Sequence, residues 1–159
     1  MPREEYVKEF YIAGSTVRTH NEIEVQKETL DVPESAKIPM LWEQFKSECG
    51  SHNALVPSGD QAAYAVYSDY ESDTSGHYDA TVGSRANGAC GDRPRVKVKA
   101  GRYLVFQGQG VMPETMYKTW SVIWSYFEEQ SDVRRQYGTD FEKYLSPEMV
   151  EIYVGIVET

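Results

Sequence analysis

Cysteine is nearly absent from this sequence: Cys49 and Cys90 stand alone, with no CxxC pair. A secreted disulfide framework is therefore not expected, and free thiols in a reducing compartment are. No apolar run reaches membrane-spanning length, and the opening MPREEYVKEF is too charged for a signal peptide. These absences predict a cytoplasmic protein with no membrane partner. Histidine is scarce; His20, His52 and His77 are scattered without ligand spacing, so no metal is expected. The sequence has no GxSxG elbow, phosphate-binding loop or dinucleotide fingerprint, and no cofactor is expected. Positive charge is thin as well: Arg134-Arg135 is only a pair, and the formal net charge is −9. An acidic surface repels phosphate backbones, which argues against a direct nucleic-acid partner, and it concentrates small cations.

What the sequence does have is aromatic side chains: 12 Tyr, 5 Phe and 3 Trp. Tyrosine joins a large apolar ring to a polar tip, which suits a pocket wall as well as a core. The 159 residues fit one domain, 1–159, large enough to bury a core without staples. Phe10–Asn21 is rich in β-branched and aromatic residues and reads as a strand. In the segment SAKIPMLWEQF, residues Ile38, Leu41, Trp42 and Phe45 fall on one helical face, with Pro39 suited to the first turn. Gln61–Tyr70 and His77–Arg85 read as two strands joined by the turn signal ESDTSG. Arg95–Gln107 reads as a strand interrupted at Ala100-Gly101. Pro113 opens a second helix with Met116, Trp120, Ile123 and Phe127 on its apolar stripe. A charged segment follows, then DFEKYL and the strand MVEIYVGIV.

The two halves, about 1–88 and 92–159, look alike. Each reads strand, helix, two strands, and LWEQF matches IWSYF, pairing Trp42 with Trp124 and Phe45 with Phe127. That order predicts an α+β fold: a duplicated β-α-β-β repeat, a mostly antiparallel sheet with helices packed on it, and a cleft between the halves. Both Trp42 and Trp124 are expected in the core, with Trp120 reaching toward the cleft; Arg18-Thr19 is expected at the surface.

Six segments, in order, resemble a known family: IPMLWEQF at Ile38–Phe45, AYAVYSDYES at Ala63–Ser72, VKVKAGRYLVFQGQG at Val96–Gly110, TWSVIWSYF at Thr119–Phe127, DFEKY at Asp140–Tyr144, and EIYVGI at Glu151–Ile156. Together they are similar to the GyrI-like small-molecule-binding domain family, the effector-binding domain of AraC- and MerR-type regulators. The resemblance implies a central aromatic cleft and a hydrophobic, cationic small molecule bound on a buried glutamate. Glu142 and Glu151 match the family's acidic positions, whereas Gly155 stands where the family often has proline. The short stretch before Phe10 leaves no room for a helix-turn-helix, which predicts the binding module alone.

The residues support that picture independently. Side chains alternate along a strand, so Val150, Ile152, Val154 and Ile156 share one face and pack on the helices. Glu151 and Tyr153 share the other face, expected to line the cleft; Glu142 and Tyr144 likewise fall two apart. A buried carboxylate without a partner is costly. A lipophilic cation supplies one, and aromatic faces add about 0.5–2 kcal/mol of cation–π attraction each. Glu142 or Glu151 is thus the candidate counter-ion, and Tyr64, Tyr67, Phe106, Trp120, Tyr144 and Tyr153 are candidate walls. Tyr64 and Tyr67 fall on opposite faces of a regular strand. The main reading is a non-enzymatic module that senses or sequesters the compound, in company with a regulator. Two alternatives stand beside it. One is a hydrolase of a strained electrophilic compound, with a buried Glu as general base. The other is an interaction module that acts on gyrase through the acidic surface.

Overall fold

The computed structural model describes residues 2–26, 29–47, 62–73, 75–85, 93–129 and 132–157. Cys49, Cys90, His52 and the junction expected between residues 88 and 92 lie outside them. Along the chain run β1 (Arg3–Val7), β2 (Phe10–His20), α1 (Asn21–Glu24), α2 (Ile38–Phe45), β3 (Ala63–Ser68) and β4 (His77–Arg85). They are followed by β5 (Arg95–Val98), β6 (Gly101–Gln109), α3 (Glu114–Glu129), β7 (Arg135–Ser146) and β8 (Met149–Ile156). The strands form one eight-stranded sheet in the order β1-β6-β8-β7-β3-β4-β2-β5, every pairing antiparallel. The fold is α+β, as the element order predicts. The first half contributes β3-β4-β2 and the second β7-β8-β6, and they meet where β3 pairs with β7.

The sheet has two apolar faces, each built from one set of alternating side chains of its central strands. On one face Ile38, Leu41 and Phe45 of α2 and Met116, Trp120 and Ile123 of α3 pack on Ala65, Tyr67, Phe106, Val150, Ile152, Val154 and Ile156. Burying a side chain such as Ile123 or Ile152 completely contributes roughly 1.5–3 kcal/mol. The opposite face is closed by the sheet itself, which curls so that β5 approaches β7. Ile12, Tyr64, Val66, Val98, Tyr103, Val105, Phe141 and Tyr153 form a second core there. The Thr139 hydroxyl ties this curl together, accepting from the Lys99 N–H (3.0 Å) and lying 2.8 Å from the Tyr103 hydroxyl.

Backbone approach dictates one glycine pair. Gly14 faces Gly83 across the β2–β4 ladder, and a Cβ at Gly14 would lie 2.0 Å from the Val82 carbonyl oxygen. Three elements depart from the sequence reading. α1, Asn21–Glu24, begins at the residue read as the end of the first strand. β1 lies in the charged opening, where REEYV forms an edge strand on β6; charged side chains are usual on an exposed edge. β7 starts at Arg135, inside the segment read as a charged connection. Its alternation is hidden by an irregularity: Arg135 pairs with Ile156 and Asp140 with Val154, so β7 uses three more residues than β8 between those rungs. Tyr137, within that bulge, has φ 57°.

Candidate functional site

Glu142 lies in the middle of β7, opposite Ile152 of β8 and Ala65 of β3, so its side chain projects from the helix-covered face. It is completely buried. Three neutral groups donate to its carboxylate: the Tyr67 hydroxyl to Oε2 (2.6 Å), the Trp120 indole Nε1 to the same oxygen (2.7 Å) and the Tyr144 hydroxyl to Oε1 (2.7 Å). Alternation supplies Tyr144 from the same strand, register supplies Tyr67 from β3, and the apolar stripe of α3 supplies Trp120. Among the described residues, no cation is a partner of this carboxylate. Burial pushes its pKa up; the three hydrogen bonds pull the other way but do not cancel the shift. The Tyr67 and Tyr144 phenols are themselves held well above their ordinary pKa, chiefly by burial, so both stay protonated donors.

Beside this carboxylate lies a cavity of about 50 Å³. The first half lines it with Asn21, Glu24, Val25, Ile38, Tyr67, Tyr70 and Tyr78, and the second with Met116, Tyr117, Trp120, Trp124 and Arg135. The rings meet edge to face, with Tyr67 5.6 Å from Tyr78 and 5.7 Å from Trp120. Burial and the nearby Glu142 push the Tyr117 hydroxyl up to about 12. Glu24 is buried, and its carboxylate accepts from the Lys37 and Ile38 N–H groups and from the Thr19 hydroxyl (2.5 Å). It thereby caps the start of α2 from a distance, where a negative charge meets the positive helix end.

The remaining acid–base pair belongs to β7. Arg135 Nη2 donates to Asp140 Oδ2 at 2.6 Å, with the two side chains 5% and 0% exposed. Asp140 also accepts from the Tyr70 hydroxyl (2.5 Å) and, through Oδ1, from the Gly155 N–H (2.8 Å). A proline at position 155 would remove that last donor. The Arg135 guanidinium carbon lies 4.5 Å from the Tyr137 ring centre, 5.7 Å from Trp120 and 6.0 Å from Tyr70. Burial is the largest influence and works against its charge, but Asp140, Tyr70 and Tyr137 together outweigh it and hold the guanidinium pKa above its ordinary value.

Of the residues singled out in the sequence, the structure brings Glu142, Tyr67, Tyr144 and Trp120 into one constellation. It does not bring the others there. Glu151 and Tyr153 project from the opposite face of β8, against the expectation that this face lines the cleft. The curl turns that face into the second core, where Tyr153 stacks on Phe141 at 4.4 Å and Glu151 accepts from Arg3 at 2.9 Å. Tyr64 lies in the same second core, because it is three residues from Tyr67 on a regular strand. Phe106 is on the helix-covered face but packs on Tyr126 and Phe127, facing a separate groove between β6 and α3. Trp124, expected in the core, also lines the cavity. Thr19, expected at the surface, is fully buried on Glu24. Asn21, Glu24, Tyr70, Tyr78, Tyr117, Asp140 and Arg135 were not singled out as site residues. Asp140 was visible within DFEKY; Arg135 was hidden because the bulge reverses the face expected from alternation.

This combination, a curled antiparallel sheet with helices on one face and an aromatic cavity between its halves, defines an effector-binding domain of the GyrI-like fold. The chain belongs to the Cass2 family, integron-associated effector binding proteins, whose profile matches residues 5–156. An integron cassette protein from the mobile metagenome of Vibrio cholerae has a crystal structure that superposes with TM-score 0.82 at 30% identity, covering 98% of this chain and 95% of that one. YobU of Bacillus subtilis (strain 168), named as a transcriptional regulator protein, is 30% identical over 154 residues, 91% of this chain and 90% of its own. SAV2435, solved bound to tetraphenylphosphonium, shares the fold at TM-score 0.71 and 13% identity, covering 99% of this chain and 94% of that one. No helix among the described residues is long and apolar enough to cross a membrane.

Proposed function

We propose that this protein binds a lipophilic organic cation against Glu142 and releases it unchanged, serving to sense or sequester the compound. One observation carries the reading. Glu142 is a fully buried carboxylate held, among the described residues, by three neutral donors and no cation, beside an aromatic-walled cavity. A carboxylate desolvated in this way gains more from a weakly hydrated positive guest than from a neutral one of equal area. Glu151 is the poorer counter-ion, since Arg3 already pairs with it. The tetraphenylphosphonium bound to SAV2435, which has the same fold, supports the ligand class. The regulator name of YobU supports a sensing role.

A cavity of about 50 Å³ is smaller than such a ligand, whose sites commonly measure about 300–1,000 Å³. Binding therefore widens the gap between α3 and the α1–α2 segment, with the half-buried Tyr117 and Trp124 as the side chains that turn. Titration with tetraphenylphosphonium tests the reading. Trp120 bonds directly to Glu142, so tryptophan emission should quench with micromolar affinity, about −8 kcal/mol. Absence of saturable quenching and of calorimetric heat would refute it. Chemical change in a bound cation recovered from the protein would instead favour the hydrolase.

A further inference from the structure

Arg135 is unusual among the cavity walls because it is a cation already in place. Its side chain is 5% exposed, and it lines the same cavity as Trp120, Trp124 and Tyr117. Its anchoring is one-sided. Nη2 is engaged by Asp140, which is itself fixed by Tyr70 and the Gly155 N–H, while Nε is buried with no hydrogen-bond partner among the described residues. A buried N–H without an acceptor is rare in folded proteins, and the cost of leaving it so is larger when the group is charged. The arginine cannot swing away to find one without abandoning Asp140, which has no exposure of its own. The Tyr137, Trp120 and Tyr70 rings lie near the guanidinium, and the open space beside Arg135 from which an acceptor for Nε can come is the cavity it lines.

We propose that Arg135 is a second polar anchor of the site, donating from Nε to an acceptor oxygen carried by the bound cation. The ligand class is then narrower than any greasy cation: a delocalised positive centre satisfies Glu142, and a carbonyl, ester or amide oxygen satisfies Arg135. This rests on the cation-binding reading and adds a requirement to it. The arrangement also separates the two signs: Arg135 lines the cavity, and Glu142 lies behind its walls Tyr67 and Trp120. Glu142 presents its carboxylate between Tyr67, Trp120 and Tyr144, and Arg135 presents its N–H beside Trp120 and Tyr70, so a molecule with its charge and its acceptor on different groups matches both.

A matched pair of ligands tests this in the intact protein: tetraphenylphosphonium bearing one para-acetyl group, and its para-isopropyl counterpart of nearly the same shape. The acetyl compound should bind the wild-type protein about tenfold more tightly, the scale of one hydrogen bond from a charged donor. That preference should vanish in Arg135→Met. It should also vanish in Arg135→Lys, which keeps a positive charge beside Asp140 but has no Nε N–H. Equal affinity of the two compounds for the wild-type protein would overturn the inference while leaving cation binding intact. A preference that persists in a folded Arg135→Lys protein would overturn it as well. Failure of both compounds to bind the wild-type protein would remove the cation reading and this one together.

Discussion

Replacing Glu142 with glutamine isolates the charge from everything else the side chain does. Glutamine keeps the volume and, with its oxygen in the place of Oε2, still accepts from Tyr67 and Trp120; its NH2 takes the place of Oε1, where the Tyr144 hydroxyl turns to accept instead of donate, so the negative charge is the main loss. Those donors surround the carboxylate, so the centre of a bulky cation approaches to about 6 Å. At that separation and an effective dielectric constant of roughly 20, the attraction is about 3 kcal/mol. That corresponds to about a hundredfold in Kd. The assay compares thioflavin T, a flat delocalised cation, with its uncharged benzothiazole parent lacking the N-methyl group. Work at pH 8 rather than at lower pH reduces the offset from removing a proton from Glu142. Glu142→Gln should weaken thioflavin T by about a hundredfold and the neutral parent by less than threefold, with near-ultraviolet circular dichroism confirming the fold. Equal loss for both compounds would refute the counter-ion role and reassign Glu142 to holding the walls in place.

Other outcomes follow from the same geometry. Burial raises the Glu142 pKa, so at low pH a permanent cation has to displace a proton. Its affinity should rise with pH by up to tenfold per unit below that pKa, then level off, and should be flat in Glu142→Gln; titrations from pH 5 to 9 check this. In the empty protein the sign for stability is the opposite. A carboxyl with a raised folded-state pKa binds its proton more tightly folded than unfolded, so its contribution is present below the unfolded pKa and lost as pH rises through the folded one. Empty Glu142→Gln should therefore melt higher than wild type at pH 8, with the gain shrinking toward pH 4 in thermal melts. Glu151→Gln should leave cation affinity within twofold and cost less than about 1 kcal/mol, since its partner Arg3 is half exposed. Gly155→Pro should cost at least about 2 kcal/mol in denaturant unfolding, because it removes the N–H that fixes Asp140.

The fold was legible where hydrophobic period was clean. The stripe Ile38, Leu41, Phe45 placed α2, and the alternation Val150, Ile152, Val154, Ile156 placed the helix-facing side of β8. The constellation on Glu142 was legible for the same reason, since Glu142 and Tyr144 differ by one strand period and Trp120 sits on a helical stripe. Two things were not legible. The curl of the sheet is a long-range event, and without it the second face of β8 reads as a cleft wall, which drew in Glu151 and Tyr153. The bulge in β7 is hidden because RRQYGTD shows neither alternation nor a turn, so Arg135 and its place beside Asp140 gave no local signal. Glu24 was missed because its work is to cap a helix that begins 14 residues later.

The irregular stretch between Arg135 and Asp140 makes the electrical character of the cavity a matter of parity. Its three surplus residues, an odd number, are what turn the guanidinium inward. Losing or gaining two residues there preserves the inward arginine, whereas a change of one sends it to the far side of the sheet and leaves Asp140 alone among the rings. A single-codon slip could thus convert a site holding both signs into a purely acidic one, without altering any other side chain of the wall.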